Sequence, residues 1–259
     1  MSIDFDLDAR GVATITINRP ERHNALDADH YAALTDAWTR VRDDNAVRVA
    51  IVTGAGERAF TAGADIKSYL TRKVEPAEIW KTQHDLLLNR GLEIWKPVIA
   101  AVNGICIGGG VTLMLATDIR VACASATFGV AEVKRGIIAG NGGTQRLIRQ
   151  LPHAIAMELL LCGDAITAEQ ALAWGLLNKV VPSWVDVLPA ARNYADRIAA
   201  NAPLAIQATK ELAIRSRDVP IATGLRMEQM AMRLLAATED AAEGAAAFAE
   251  KRPAAFRGR

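Results

Sequence analysis

Residues 98–117 carry no charged side chain, and this stretch limits the possible folds more than any other. It is long enough for a membrane-spanning helix. However, four glycines and Asn103 interrupt it, and Pro97 stands at its start. The period breaks at Gly108-Gly109-Gly110, so strand, turn and short helix fit better than one continuous span. The spacing predicts a strand at 98–102, a turn at Asn103-Gly104, a helix over 111–116 and a second strand over 119–124. Phe128-Gly-Val-Ala-Glu132 follows, and Gly140-Asn-Gly-Gly-Thr-Gln-Arg146 closes the region. Glycine loses the most backbone entropy on folding. Three in a row between strand and helix imply either close approach of a ligand to helix-start N–H groups or a tight packed turn.

The flanking sequence has an α/β rhythm. Residues 11–17 alternate as a half-buried strand. Asp27 can cap a helix with Tyr31, Leu34, Trp38 and Val41 on one face. Residues 47–53 form an apolar strand and 54–56 a turn. Pro76 suits the first turn of a helix, with Ile79, Leu86, Leu87 and Ile94 at helical spacing up to Pro97. Beyond Thr144 helices dominate, at 146–151 and 154–161. A capping box at Thr167 and Gln170 opens another, a strand follows at 177–181, and four helices span 184–200, 203–217, 220–237 and 239–250. The reading is an α/β body over 1–200 and a helical region over 201–259.

Composition removes whole classes of function. Thirty Lys and Arg against 29 Asp and Glu give a net charge of +1, which argues against nucleic acid or an anionic membrane as partner. Cys106, Cys123 and Cys162 are far apart with no Cys-x-x-Cys, so neither a disulfide framework nor a zinc site is expected. The acidic N-terminus shows no signal or transit segment, and a cytoplasmic location is the expectation. No dinucleotide-binding glycine fingerprint, P-loop or nucleophile elbow is present. His23, His30, His84 and His153 lack metal spacing and read as surface or turn residues. Carboxylates, backbone N–H groups or both must therefore carry the chemistry.

Five motifs in order resemble the crotonase superfamily, the enoyl-CoA hydratases and isomerases. They are Asn18-Arg-Pro…Asn24-Ala-Leu26, Ala59-Phe-Thr-Ala-Gly-Ala-Asp-Ile-Lys67, Lys96-Pro…Gly104 with Gly108-Gly-Gly110, Gly142-Gly-Thr-Gln-Arg-Leu147 and Ala247-Phe-Ala-Glu-Lys-Arg252. The resemblance covers almost the whole chain. It implies an α/β fold, a spiral of ββα repeats followed by a helical C-terminal trimerisation region. It also implies an acyl-CoA thioester substrate with coenzyme A as carrier, no separate cofactor or metal, and a homotrimer or dimer of trimers. The backbone N–H groups of Ala64 and Gly109 correspond to the family's oxyanion hole, where one donor is typically worth ~3–4 kcal/mol of barrier. Arg22, Ala25, Ala62, Asp65, Ile66 and Lys67 fall on the family's CoA-binding segments. Phe248 and Lys251 match C-terminal residues that reach CoA, often across a subunit boundary.

The catalytic carboxylates depart from the family's hydratase pattern. Glu132 matches one of two glutamates, but Thr112 stands where the other belongs. Hydration places hydroxide on one carbon and a proton on the next, and two carboxylates divide that work. A threonine hydroxyl can orient water but is a very weak base, whereas a single glutamate suffices to shift a double bond. Thr112 can equally bond back to its own preceding turn, and outside the family Glu132 would read as a surface carboxylate. Three functions follow: an enoyl-CoA hydratase or dehydratase using Glu132 and a water held by Thr112, a Δ3-Δ2-type enoyl-CoA isomerase, or a non-catalytic acyl-CoA-binding scaffold.

Overall fold

The computed structural model describes residues 3–65 and 87–259. Six strands form the main sheet: β1 (Ile3–Leu7), β2 (Val12–Ile17), β3 (Val49–Gly54), β5 (Val98–Val102), β7 (Ile119–Cys123) and β10 (Lys179–Val181), neighbours in that order. Only β1 runs antiparallel to its neighbour; the others are parallel, with Val12 opposite Val49, Ala50 opposite Val98 and Ile99 opposite Ile119. Every residue of β3 and β5 is buried, as a parallel sheet covered on both faces requires.

A second sheet is built from short strands: β4 (Ala59–Thr61), β6 (Ile105–Ile107), β8 (Thr127–Gly129) and β9 (Ile166–Thr167). Each of β3, β5 and β7 turns at once into its short successor, and this repeat winds the chain into a spiral. The turn between β5 and β6 has no room for a side chain at Gly104. A Cβ at Gly104 would lie 2.3 Å from the carbonyl oxygen of Arg58.

Two buried asparagines link successive turns of the spiral. Asn103 donates from Nδ2 to the carbonyls of Gly54 (2.9 Å) and Gly56 (2.6 Å) and accepts from the Gly54 N–H (3.2 Å). Asn24 donates to the carbonyls of Ala55 (3.0 Å) and Ala59 (2.7 Å).

Helices cover the sheets. The first, α1 (Ala28–Asp43), is capped by Asp27, whose side chain accepts from the N–H of His30, and it buries Leu34, Trp38 and Val41. The short α2 (Gly109–Leu115) begins at the glycine triplet. It is followed by α3 (Gly143–Gln150), α4 (His153–Cys162) and α5 (Ala168–Ala173), the last opened by the expected Thr167 capping box. Next, α6 (Val187–Ala199) lays Val187, Ala191, Ala195 and Ala199 on the core. Finally come α7 (Pro203–Arg215), α8 (Ile221–Ala236) and α9 (Glu239–Glu250); α7 and α8 bury no residue within this chain. The C-terminal tail returns to the body, where Arg48 donates to the Phe256 carbonyl at 2.6 Å.

Three readings of the sequence need correcting. The helix expected to run to Pro97 is absent where it can be seen. Residues 87–91 form a tight turn in which Leu87 and Arg90 exchange backbone hydrogen bonds, with Gly91 at φ +79°. Leu87, Leu88, Leu92 and Ile94 are buried all the same, so their spacing reflects a wedged loop. The earlier part of that helix, with Pro76 and Ile79, lies outside the described residues. The β1 strand was not anticipated. His30 is no surface residue: it is 6% exposed, and its Nδ1 lies 2.6 Å from Asp27 Oδ1.

Asn103→Ala would take the side-chain partner from the buried N–H and carbonyl of Gly54, each worth about 1–3 kcal/mol. We expect a stability loss of at least roughly 2 kcal/mol by urea unfolding, with retained secondary structure.

Candidate active site

Residues 62–65 run beside residues 23–26. Leu26 donates to the Gly63 carbonyl and accepts from the Asp65 N–H, both at 2.8 Å. This parallel bridge uses the groups on either side of Ala64 and leaves the Ala64 N–H outside the pairing. The Gly109 N–H opens α2, where the first donors of a helix have no intrahelical acceptor. Among the described residues neither N–H has a hydrogen-bond acceptor.

Glycines bring these two groups together. Gly63 has φ +81°, and a Cβ there would lie 2.6 Å from the Gly109 nitrogen. A Cβ at Gly110 would lie 2.5 Å from the Thr61 carbonyl oxygen. A Cβ at Gly109 meets nothing closer than 3.3 Å, with the Ala64 nitrogen and the Tyr31 hydroxyl both at 3.4 Å. A methyl-sized space therefore borders the two backbone donors.

Glu132 lies on a 3₁₀ turn, Ala131–Arg135, directly after β8. Its carboxyl faces the triplet, and a Cβ at Gly108 would lie 3.4 Å from Oε1. Its Oε2 is buried without a hydrogen-bond partner among the described residues. Burial pushes its pKa above the ordinary glutamate value, against smaller opposing effects of its own backbone N–H and of Arg135. Among the described residues, no second carboxylate contributes to that shift.

Thr112 is 2% exposed. Its hydroxyl donates to the Gly109 carbonyl at 3.0 Å and accepts from Asn89 Nδ2 at 3.1 Å. The proton is committed and one lone pair is left. This is the back-bonded arrangement that the sequence left open; the hydroxyl can accept from a water but has no proton to give. Arg146 donates to the carbonyls of Asn89 (3.1 Å) and Asn141 (3.2 Å), tying the 87–91 turn to the loop before α3.

The structure thus brings Ala64, Gly109, Glu132 and Thr112 to one place. Of the candidate CoA contacts, Arg22, Ala25, Ala62 and Asp65 lie along the adjoining 22–26 and 62–65 segments. Arg22 is exposed. Asp65 pairs with Arg19 at 3.3 Å, and Arg19 also holds Asp27 at 3.1 Å and the Ala25 carbonyl at 3.2 Å. Ile66 and Lys67 lie outside the described residues. Phe248, 88% exposed, and Lys251 sit at the end of α9 with no hydrogen bond to the site. Sequence reasoning missed Asn89 and Arg19 as organisers of the site. It read Tyr31 only as part of a buried helix face.

The chain belongs to the enoyl-CoA hydratase/isomerase family, whose sequence model matches residues 8–259. It is 45% identical over 248 residues to (E)-benzylidenesuccinyl-CoA hydratase of Thauera aromatica, covering 95% of this chain and 96% of the relative. It is 39% identical to carnitinyl-CoA dehydratase of Proteus mirabilis over the full length of both. The crystal structure of an enoyl-CoA hydratase from Bacillus anthracis superposes with a TM-score of 0.92 at 36% identity, each chain fully covered.

Gly109→Ala tests the two-donor site. The backbone at Gly109 needs no positive φ, and the new methyl is tight only against the Gly63 Cα at 3.3 Å, so the fold should survive with a shift of a few tenths of an ångström. The methyl fills the space beside the Ala64 N–H, and turnover should fall by at least ~10²-fold, the order seen when one oxyanion donor is lost. Steady-state kinetics beside a thermal melt checks this.

Proposed function

We propose that this protein adds water to a 2-enoyl-CoA, or removes it from the corresponding 3-hydroxyacyl-CoA, through a thioester enolate. The observation that carries this reading is the half-buried carboxyl of Glu132 against the triplet, its Oε2 without a partner among the described residues, beside two N–H groups that have no acceptor among them. The Ala64 and Gly109 N–H groups would receive the thioester oxygen as negative charge develops on it. Preformed donors need no reorganisation at that moment. Glu132 would move the proton at C2. A carboxyl with a raised pKa is better matched to proton transfer near neutrality. With one carboxylate, a balanced hydration runs through one water: its hydroxyl joins C3 as Glu132 accepts its proton, and Glu132 delivers a proton to C2. The lone pair left on Thr112 can hold that water by accepting one of its hydrogens. The names of the two relatives, a hydratase and a dehydratase, support this direction.

A second reading, double-bond isomerisation, is favoured by the single carboxylate, since one base suffices to carry a proton from C4 to C2. The CoA moiety would lie along Arg22, Ala25, Ala62, Asp65, Ile66 and Lys67. Asp65 would act by holding Arg19 and the 22–26 segment rather than by facing phosphate. Phe248 and Lys251 would contribute in a homo-oligomer, trimer or hexamer, supported by exposed Ile221, Met232 and Leu234 on α8. The two chemistries separate in one assay. Hydration predicts loss of conjugated absorbance with a 2-enoyl-CoA. Gain of absorbance from a 3-enoyl-CoA, with none lost from the 2-enoyl-CoA, would establish the isomerase instead.

Glu132→Gln should lower turnover by ~10²-fold or more with CoA affinity retained. It should also change stability with a defined sign. The folded pKa of Glu132 lies above its unfolded value, so the native state binds more protons in that window and wild-type stability falls as pH rises through it. The glutamine variant escapes this loss. Its melting temperature should exceed wild type above the raised pKa, and the gain should vanish as pH falls below the ordinary glutamate value.

A further inference from the structure

We propose that residues 252–259 form a strap that holds α9 on the body of this chain and so sets the place of Phe248 and Lys251. The inference rests on the proposed acyl-CoA reading, in which those two residues contact CoA, and adds the element that positions them. A buried carboxylate points to it. Asp240, in the first turn of α9, is 4% exposed. Burying a carboxylate is costly unless it is paired or hydrogen-bonded. Capping the helix is not its task, because the Thr238 hydroxyl already accepts from the Ala241 N–H. Asp240 instead accepts two backbone N–H groups of the tail, that of Arg257 at 2.6 Å and that of Gly258 at 2.8 Å. Its own N–H donates to the Arg259 carbonyl at 3.1 Å.

The contact continues along the helix. Three residues on, Glu243 accepts the Ala255 N–H at 2.7 Å and a bidentate pair from Arg252 at 2.6 and 2.9 Å. Residues 240, 243 and 247 share one face of α9, and the tail runs back along it, with 257–258 beside 240 and 255 beside 243. Among the described residues, every hydrogen bond and ion pair from an α9 side chain leads to residues 252–259. The body holds the other side of the tail. Arg48, directly before β3, donates to the Phe256 carbonyl at 2.6 Å and to the Ala199 carbonyl at the end of α6 at 2.9 Å. Helix α7 is tied to the body separately, through Lys210 and Asp118 at 2.7 Å. Helix α8, between α7 and α9, buries no residue within this chain. The tail is thus the hydrogen-bonded route from α9 to the sheet. Asp240 is a positioning residue on that route: it would act on CoA affinity through α9, while Glu132, Ala64 and Gly109 lie in the body.

Asp240→Ala removes the carboxylate and releases the two tail N–H groups to solvent. Amide hydrogen–deuterium exchange over 241–251 and over β3 and β5 is measured in the full chain, with kcat and KM for a 2-enoyl-CoA. The expected result is exchange in α9 faster by at least ~10-fold, KM raised by ~5-fold and kcat changed less than ~2-fold, with β3 and β5 unaffected. Deleting residues 254–259 removes most of the strap by a second route and should reproduce both effects. Unchanged α9 exchange in both variants would overturn the strap. Faster exchange with wild-type KM would be a merely structural role and would overturn the positioning of Phe248 and Lys251. Phe248→Ala and Lys251→Ala separate the proposal from the reading beneath it. If both leave KM at the wild-type value, the CoA contacts of α9 fail and the positioning claim fails with them. If wild type turns over no enoyl-CoA, the functional reading fails, and the exchange result alone decides the strap.

Discussion

The site depends on backbone touching backbone. The segment carrying Ala64 and the start of α2 approach so closely that Gly63 and Gly110 cannot accept a side chain. A Cβ at either would come within 2.6 Å of a peptide atom of the facing segment. Peptide groups at such separations are aligned by covalent geometry and need no rotamer to be chosen. Two donors are therefore fixed before any ligand arrives, which is the condition under which hydrogen bonds to a developing charge are most effective. The cost lies in the entropy of the glycines. It is offset by burial of the surrounding strands, with β3 and β5 wholly inside.

Everything around that contact maintains its register. Short strands β4, β6 and β8 set the 62–65 segment, the triplet and Glu132 at corresponding positions in successive turns, because each follows its short strand within a few residues. Asn103 and Asn24 tie the turns together, and Arg19 ties α1 and the 22–26 loop to Asp65. On the other side, Asn89 and Arg146 brace Thr112 and the loop before α3. Asparagine amides and two arginines thus hold the frame around two peptide N–H groups and one carboxyl.

The sequence revealed the repeat best where burial enforces a clean pattern. The apolar runs of β3 and β5 and the long C-terminal helices could be read to within a few residues, and the caps Asp27 and Thr167 marked the starts of α1 and α5. The short strands of the second sheet were harder to see, since two or three residues give no period. Residues 87–94 misled because a wedged loop can bury Leu87 and Ile94 at helical spacing by coincidence. The β1 strand was overlooked although Ile3, Phe5 and Leu7 alternate with aspartates; the acidic composition drew attention from the period. At the site, the motifs led to Ala64, Gly109 and Glu132. The partners of Thr112 could not be read, because Asn89 lies 23 residues away on a turn that no pattern announces.

The central claim is that one half-buried carboxyl, Glu132, moves the proton at the carbon beside the thioester while backbone donors hold the enolate. Isotope incorporation tests it most directly. A saturated acyl-CoA or 3-hydroxyacyl-CoA is incubated with the enzyme in deuterated water, and deuterium at C2 is followed by NMR for wild type and Glu132→Gln. The account predicts enzyme-dependent incorporation at C2 by wild type, and its near-complete loss in the variant while the thioester still binds. Undiminished incorporation by a folded, ligand-binding Glu132→Gln protein would contradict it.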